Sequence, residues 1–396
     1  MKGKKRLFLI LSSVLLVVVA LSRCMNSDPE LPEDVRGPDY VGAASCKKCH
    51  ADISESYAHN MHAVTSKAID PHTVGQALEK DTGSFTYMGQ TRVQVEKRDS
   101  GYYQVAYVNG KETRAERFDV VFGSGEKAFT YGYWQGKVIK ELPLSYFKSI
   151  NNWASSPGFP ITRAYFDRPV TSRCLECHGS FVSKKEVQTA SLAITEELEK
   201  GSLIYGVDCE RCHGPARQHV VFHQENPKEK QAKFITLFRS LTRKQKIDAC
   251  AVCHSGNDVQ SQQSTFSYKP GDDLANYYTR DFSSFGGANA DVHGNQSTML
   301  AGSKCFTQSK DMTCGSCHNT HGDFKGNLAI YSQRCVSCHQ TQKHSASTMK
   351  KGYTKTNCID CHMPQQASRL ISFKTAADPK ENPYLLRSHH IGIYPN

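Results

Sequence analysis

Seven copies of one pentapeptide pattern, Cys-x-x-Cys-His, constrain this chain more than any other feature. They stand at Cys46-Cys49-His50, Cys174-Cys177-His178, Cys209-Cys212-His213, Cys250-Cys253-His254, Cys314-Cys317-His318, Cys335-Cys338-His339 and Cys358-Cys361-His362, and they take up fourteen of the sixteen cysteines in 396 residues. A random chain of this composition would carry roughly 0.03 copies, so the repetition is chemical. Zinc would need motifs to share a metal in pairs, and seven does not divide by two. Disulfides give no reason for a His after every second Cys. Two thiols three positions apart can each add to a vinyl group of one porphyrin, while the adjacent His turns beneath the ring to bind iron. The pattern therefore implies seven covalently attached haem c groups, each with its iron on the motif His.

The N-terminus is read as an export leader over residues 1–24. Lys2, Lys4, Lys5 and Arg6 precede an apolar run from Leu7 to Leu21, too short to span a bilayer comfortably. Leu21-Ser22-Arg23-Cys24 resembles a bacterial lipoprotein cleavage site, although Arg23 fits poorly before the cut. Lipidation of Cys24, retention as a short anchor and plain signal cleavage all stay open, and each leaves the body in the periplasm or on the outer cell surface. Residues 25–40 read as a tether.

The net charge of +11 invites a nucleic-acid reading. Five of the positive residues belong to the leader, and seven haems bring about fourteen propionates, which leaves an oxidised holoprotein near neutrality. The expected partners are redox proteins: a quinol dehydrogenase, other cytochromes or a terminal reductase, with membrane association through the N-terminal anchor or lipid, and no nucleic acid.

Spacings between motif starts of 128, 35, 41, 64, 21 and 23 residues set one haem segment at 41–82 and six haems at 171–396. Between them, 83–170 is read as a haem-free β insertion and connector that orients the first haem or docks a partner. Gly83 to Phe147 alternates apolar and polar residues, as in Arg92-Val93-Gln94-Val95-Glu96, with turns at Asp99-Ser100-Gly101 and Asn109-Gly110. After Arg173 the pattern predicts short helices and loops, with a helix over Pro215 to Asn226 that puts His219 and His223 on one face and another over Leu241 to Cys250. The fold class expected is mainly α: short helices and loops packed around covalent haems, with an antiparallel β insertion.

Ten His remain outside the motifs: His59, His62, His72, His219, His223, His293, His321, His344, His389 and His390. They are enough to fill the opposite axial position of all seven irons, the six-coordinate arrangement of an electron carrier. The eight Met show no motif-linked pattern, and Met363 is too close to its own motif His to reach the other face of that ring. Cys305 fits neither a haem nor a partner Cys and is read as a structural thiol.

The stretches Ser45-Cys46 to His62, Phe122-Gly123-Ser124-Gly125, Leu142-Pro143-Leu144-Ser145, Trp153 to Gly158, Cys209 to Pro215 and Cys358 to Pro364 resemble the multihaem cytochrome c superfamily. It includes the tetrahaem carriers of ammonia oxidisers, pentahaem nitrite reductase and hydroxylamine oxidoreductase. The chain is similar in particular to exported members that often carry tetratricopeptide repeats, which are absent here. The resemblance implies distal ligands at His62, His219, His321, His344 and His389, with His293 and either His72 or His223 completing the set. His390 competes with His389, and His59 shares the helical face of His62. Nitrite reductases of this superfamily mark their catalytic haem with Lys in place of His, and no Cys-x-x-Cys-Lys occurs. The function expected is electron transfer through mostly bis-His haems; the alternative is an oxidoreductase with one open haem acting on a small nitrogen or sulfur compound.

Overall fold

The structure, a computed structural model, describes residues 31–70, 74, 83–256, 259–279, 290–322, 326–340, 344–345, 356–375 and 380–394. The leader with Cys24, the start of the tether and His72 lie outside the described residues.

Alternating side chains between Ser84 and Val170 form two antiparallel sheets. Strands β1 (Ser66–Ala68), β2 (Ser84–Thr86), β3 (Thr91–Arg98), β4 (Gly101–Val108), β5 (Lys111–Arg117), β6 (Val120–Phe122), β7 (Ala128–Gln135), β8 (Val138–Glu141), β9 (Leu144–Phe147), β10 (Asn152–Ser155) and β11 (Pro169–Val170) follow in chain order. One sheet has the order β2-β3-β4-β5; the other runs β1-β6-β7-β8-β11, with β9 on the far end of β7 and β10 on β9. Val93 and Val95 are buried on one face of β3 while Arg92, Gln94 and Glu96 turn away, as the period of a half-buried strand requires. Asn109 and Gly110 both take positive φ (51° and 78°) and pair Val108 with Lys111, the backbone twist that a two-residue hairpin needs.

Between the sheets lies an aromatic core of Phe85, Tyr87, Phe118, Tyr131, Tyr133, Trp153 and Phe166 with Val93, Val95, Leu142 and Leu144. At about 1.5–3 kcal/mol for each fully buried large side chain, this cluster is the main apolar anchor of the chain. Gln104, wholly buried, donates to the Leu144 carbonyl (2.7 Å) and accepts from its amide (2.9 Å), locking β4 to β9.

The expectation of a mainly α fold is overturned. The described residues are 28% helix and 27% strand, with several antiparallel sheets. Two causes account for it. Motif helices are short, as at Cys209–His213 and Ile359–His362, because each has only to turn a His under its two thiols. The half read as helices and loops also contains hairpins, Lys184–Gln188 with Ile194–Leu198 and Gln365–Phe373 with Asn382–Arg387. The helices expected around residues 215–226 and 241–250 form as Arg217–Glu225 and Arg243–His254, the second closed at its start by a Thr242–Gln245 capping box and running through the fourth motif.

The β region is sewn to the rest. Phe147 and Ala154 pack on Phe373 and Tyr384. Val120, Phe122, Ile139 and Val170 pack on Leu175, which lies inside the second Cys-x-x-Cys-His motif. Contacts from this sheet thus reach the second motif.

Candidate haem sites

Five motif His rings each face a His from outside the motifs. Ring centres are 6.3 Å apart for His50 and His219, 6.0 Å for His254 and His62, 5.9 Å for His213 and His321, 6.2 Å for His318 and His389, and 6.3 Å for His362 and His344. A His nitrogen meets a first-row transition metal at about 2 Å and lies about 1.1 Å from its own ring centre, so two imidazoles on opposite sides of one metal stand about 6 Å apart. Atoms in direct contact would come within about 3.5–4 Å. The spacing therefore fits one iron between each pair. Interplanar angles range from 5° to 88°, which axial ligation tolerates because both rings contain the bond axis and turn freely about it.

Second, the imidazoles are aimed. Ring nitrogen Nδ1 bonds the Thr236 carbonyl in His213 (3.1 Å), the Gly392 carbonyl in His362 (2.8 Å), the Lys233 carbonyl in His219 (2.8 Å), the Arg387 carbonyl in His389 (3.3 Å), Gln296 Oε1 in His254 (3.1 Å) and Asn60 Oδ1 in His62 (3.1 Å). An Nδ1–H given to an acceptor leaves Nε2 for a metal and fixes the ring's orientation. Burial pushes His62 down to about 4, helped by His254 and His318, and pushes His389 down to about 4, helped first by His318. His219, His321 and His318 are lowered by burial as well. All five are held as neutral imidazole, the form that binds metals.

Third, motif cysteines from different segments gather inside the fold. Burial pushes the Cys212 thiol up to about 11, while the residue keeps an exposed face. Thiols of different motifs also lie near enough to shift one another's titration: Cys46 with Cys209, Cys177 with Cys253, Cys250 with Cys314 and Cys335 with Cys358. The fourth motif thus touches the second through Cys253 and the fifth through Cys250. Among the described residues no three His, Cys, Asp or Glu side chains converge as a metal site; the ligands come in opposed pairs, as suits a metal whose other four bonds come from a macrocycle.

The remaining candidates separate. His390 bonds Tyr394 through Nδ1 (3.3 Å) while His389 faces His318. His223 stands 4.6 Å from His219 with Nε2 buried and unbonded, and His59 is exposed at the end of helix Ala51–Ala58. His339 lies on the exposed turn after helix Leu328–Val336. Cys305 is half-buried on helix Lys304–Gln308, its thiol pushed up by burial, with the Cys317 thiol near enough to feel it.

The second motif is different. The Phe122 ring lies 6.4 Å from that of His178 centre to centre, nearly perpendicular to it (84°). His293, expected as a distal ligand, is close enough to His178 for the two to interact electrostatically. His293 is held through its amide by Asp291 (2.9 Å), whose carboxylate also accepts from Ser368 and the Arg369 amide. Sequence reasoning missed Asn60, Gln296, Thr65 and the four carbonyls behind the rings; a backbone carbonyl has no signature in sequence, and the side chains reach their rings only in the fold.

These sites define a multihaem c-type cytochrome. The comparisons agree. The family described as cytochrome c554 and c-prime matches residues 161–214, which hold the second and third motifs. The dissimilatory sulfite reductase MccA of Wolinella succinogenes is 25% identical over 389 residues, covering 82% of this chain and 50% of its own; the chain therefore spans about half the length of that relative. The crystal structure of the outer cell wall cytochrome OcwA shares the fold with a TM-score of 0.50 at 18% identity, over 89% of this chain and 80% of that one. Among the described residues no helix is long and apolar enough to cross a membrane. The chain is a c-type cytochrome with a redox role.

Proposed function

We propose that the chain binds seven haem c groups and carries electrons among them outside the cytoplasm, in the periplasm or on the outer cell surface, held near a membrane by its N-terminal segment. The observation that carries this reading is the set of five opposed His pairs, each joining a motif His to a His from elsewhere in the chain. Once bound, haem supplies a one-electron couple. The chain's part would be to offer an imidazole on each side of the iron at those five motifs, which would leave those irons no site for substrate, and to hold the cysteines of neighbouring motifs close together. The partners that fit are a quinol dehydrogenase on one side and another cytochrome or a terminal reductase on the other.

The intact mass of the mature chain should exceed the polypeptide by seven haems; a shortfall of two or more sinks the count. Replacing His321 with Ala should leave that mass excess unchanged and turn one haem high-spin and able to bind carbon monoxide, because only the partner of His213 is removed. An unchanged low-spin spectrum in this variant would exclude His321 as a ligand.

A second reading has its own support in the second motif. With the apolar ring of Phe122 6.4 Å from His178 centre to centre, the haem at Cys174 and Cys177 is a candidate for an open site that takes a small ligand, and the relative MccA bears the name of a sulfite reductase. This reading expects wild-type ferric protein to show one high-spin haem that binds and turns over sulfite or a small nitrogen oxide. Seven low-spin haems that ignore both would leave the carrier alone.

A further inference from the structure

Of the motif and facing imidazoles whose Nδ1 partners are given above, none bonds a hydroxyl, whereas His178 does. Thr65 Oγ1 is 3.0 Å from its Nδ1, and the Thr65 carbonyl, 3.3 Å away, already accepts the Gly123 amide at 2.8 Å. The other rings named above give this hydrogen to carbonyl or amide oxygens, which only accept. Thr65 is also fixed in place. The neighbouring Ser66 hydroxyl bonds the His178 carbonyl and receives the Gly206 amide (3.1 Å), while β1 pairs Ser66 with Phe122. One short segment of the β region thus supplies both the acceptor at His178 Nδ1 and, through its partner strand, the Phe122 ring 6.4 Å from that imidazole.

We propose that Thr65 is the positioning residue of the second haem site: its hydroxyl sets the orientation and donor strength of the His178 imidazole, and so the redox potential and ligand affinity at that one motif. The inference rests on the haem reading above. With Nε2 on a metal, Nδ1 carries the hydrogen and Thr65 accepts it. Accepting that hydrogen makes the imidazole more electron-rich, which favours the ferric state; removing the acceptor favours the ferrous state and raises the potential. A hydroxyl that turns and shares its lone pairs does this less strongly than a carbonyl, so this site is the one most open to adjustment.

The test compares purified holoprotein carrying Thr65→Val, nearly the same shape without the hydroxyl, and Thr65→Ser, which keeps it. In Thr65→Val the mass excess should equal wild type, one step of the redox titration should move to higher potential with the others in place, and one ferric haem signal in electron paramagnetic resonance should shift. Thr65→Ser should return both to wild type. Selective loss of one haem in Thr65→Val with full loading of Thr65→Ser would likewise assign the hydroxyl to this ligand. A Thr65→Val titration that superimposes on wild type, or a shift that Thr65→Ser shares, overturns the proposal. A wild-type mass lacking a haem would instead overturn the haem reading, and is seen before any variant is made.

Discussion

Replacing Arg36 with Ala is expected to destabilise the chain by about 3–5 kcal/mol, because it strands buried carboxylates. The Arg36 guanidinium, its side chain 5% exposed, meets Asp34 at 2.8 Å, Asp208 at 2.9 Å and Glu210 at 2.8 Å, and these side chains are 8%, 9% and 1% exposed. Glu210 also accepts the amides of Gly42 (2.8 Å) and Ala216 (2.9 Å). Asp208 caps the helix of the third motif through the Arg211 amide, and Glu210 lies inside that motif. The cluster therefore clamps the segment before the first motif onto the third. Burial pushes Asp34 up, but the bonds from Arg36 outweigh it and hold the carboxyl below its ordinary value. Burial of Glu210 outweighs Arg36 and the amides, so this carboxyl is raised. The Asp34 contribution is thus present above the unfolded pKa and lost as the pH falls through the folded one. A raised Glu210 binds its proton more tightly in the folded chain, so its protonation favours the fold as the pH falls. Without Arg36 both carboxyls rise further, and the deficit of Arg36→Ala should be largest near neutrality and shrink toward about pH 4. Guanidinium unfolding at the two pH values measures it. A loss below about 1 kcal/mol, or one that is the same at both, would show that the cluster behaves as a surface ion pair.

Gly206→Ala should cost about 2–4 kcal/mol and disturb a proposed iron ligand in the same step. Gly206 has φ +64°, and an added Cβ would lie 2.0 Å from the Ala63 carbonyl oxygen, a backbone atom that cannot swing away. Ala63 follows His62, whose carbonyl accepts the Val207 amide at 2.8 Å. Pushing the two strands of chain apart therefore draws His62 away from His254, and part of one haem should turn high-spin. Gly89 is the control: its φ of +70° is similar, with nothing within 4 Å of a Cβ, so Gly89→Ala should cost only about 1 kcal/mol and leave the spectrum alone. Equal losses in the two variants would mean that backbone conformation alone, and not contact with Ala63, makes Gly206 necessary.

Local rules in the sequence carried the motifs, the Asn109-Gly110 turn, the alternation in β3 and the two helices around His219 and before His254. The hairpin Lys184–Gln188 with Ile194–Leu198 escaped because its strands, Lys-Lys-Glu-Val-Gln and Ile-Thr-Glu-Glu-Leu, lack apolar alternation; it is held by its ladder and by a Lys184–Glu196 ion pair, which only the pairing creates. The haem-facing surface misled in the same direction. Residues that would pack on a porphyrin are not arranged with helix or strand period, so the second half read as helix and loop by default. His62, His219, His321, His344 and His389 were legible only through resemblance, since nothing in a lone His says which distant motif it will face. Arg36 was hidden in a stretch that read as tether, because a buried ion cluster needs four residues from two distant segments and no one of them is unusual.

The opposed pairs also interleave along the chain. His50 faces His219, His62 faces His254, His213 faces His321, and His318 faces His389 close to the C-terminus. On the proposed ligation, two of the first four motifs, those of His50 and His213, wait for imidazoles made later in the chain, and the fifth, that of His318, waits almost to the end. During that wait each half-coordinated iron is free to capture the wrong neighbour, and His223 beside His219 and His390 beside His389 are the nearest wrong choices. Maturation of this protein is consequently a problem of timing: a chain of such long-range pairing folds late and as a unit, and its slowest step should be release of misplaced imidazoles, which dilute free imidazole would speed and a truncation before His389 would leave unfinished.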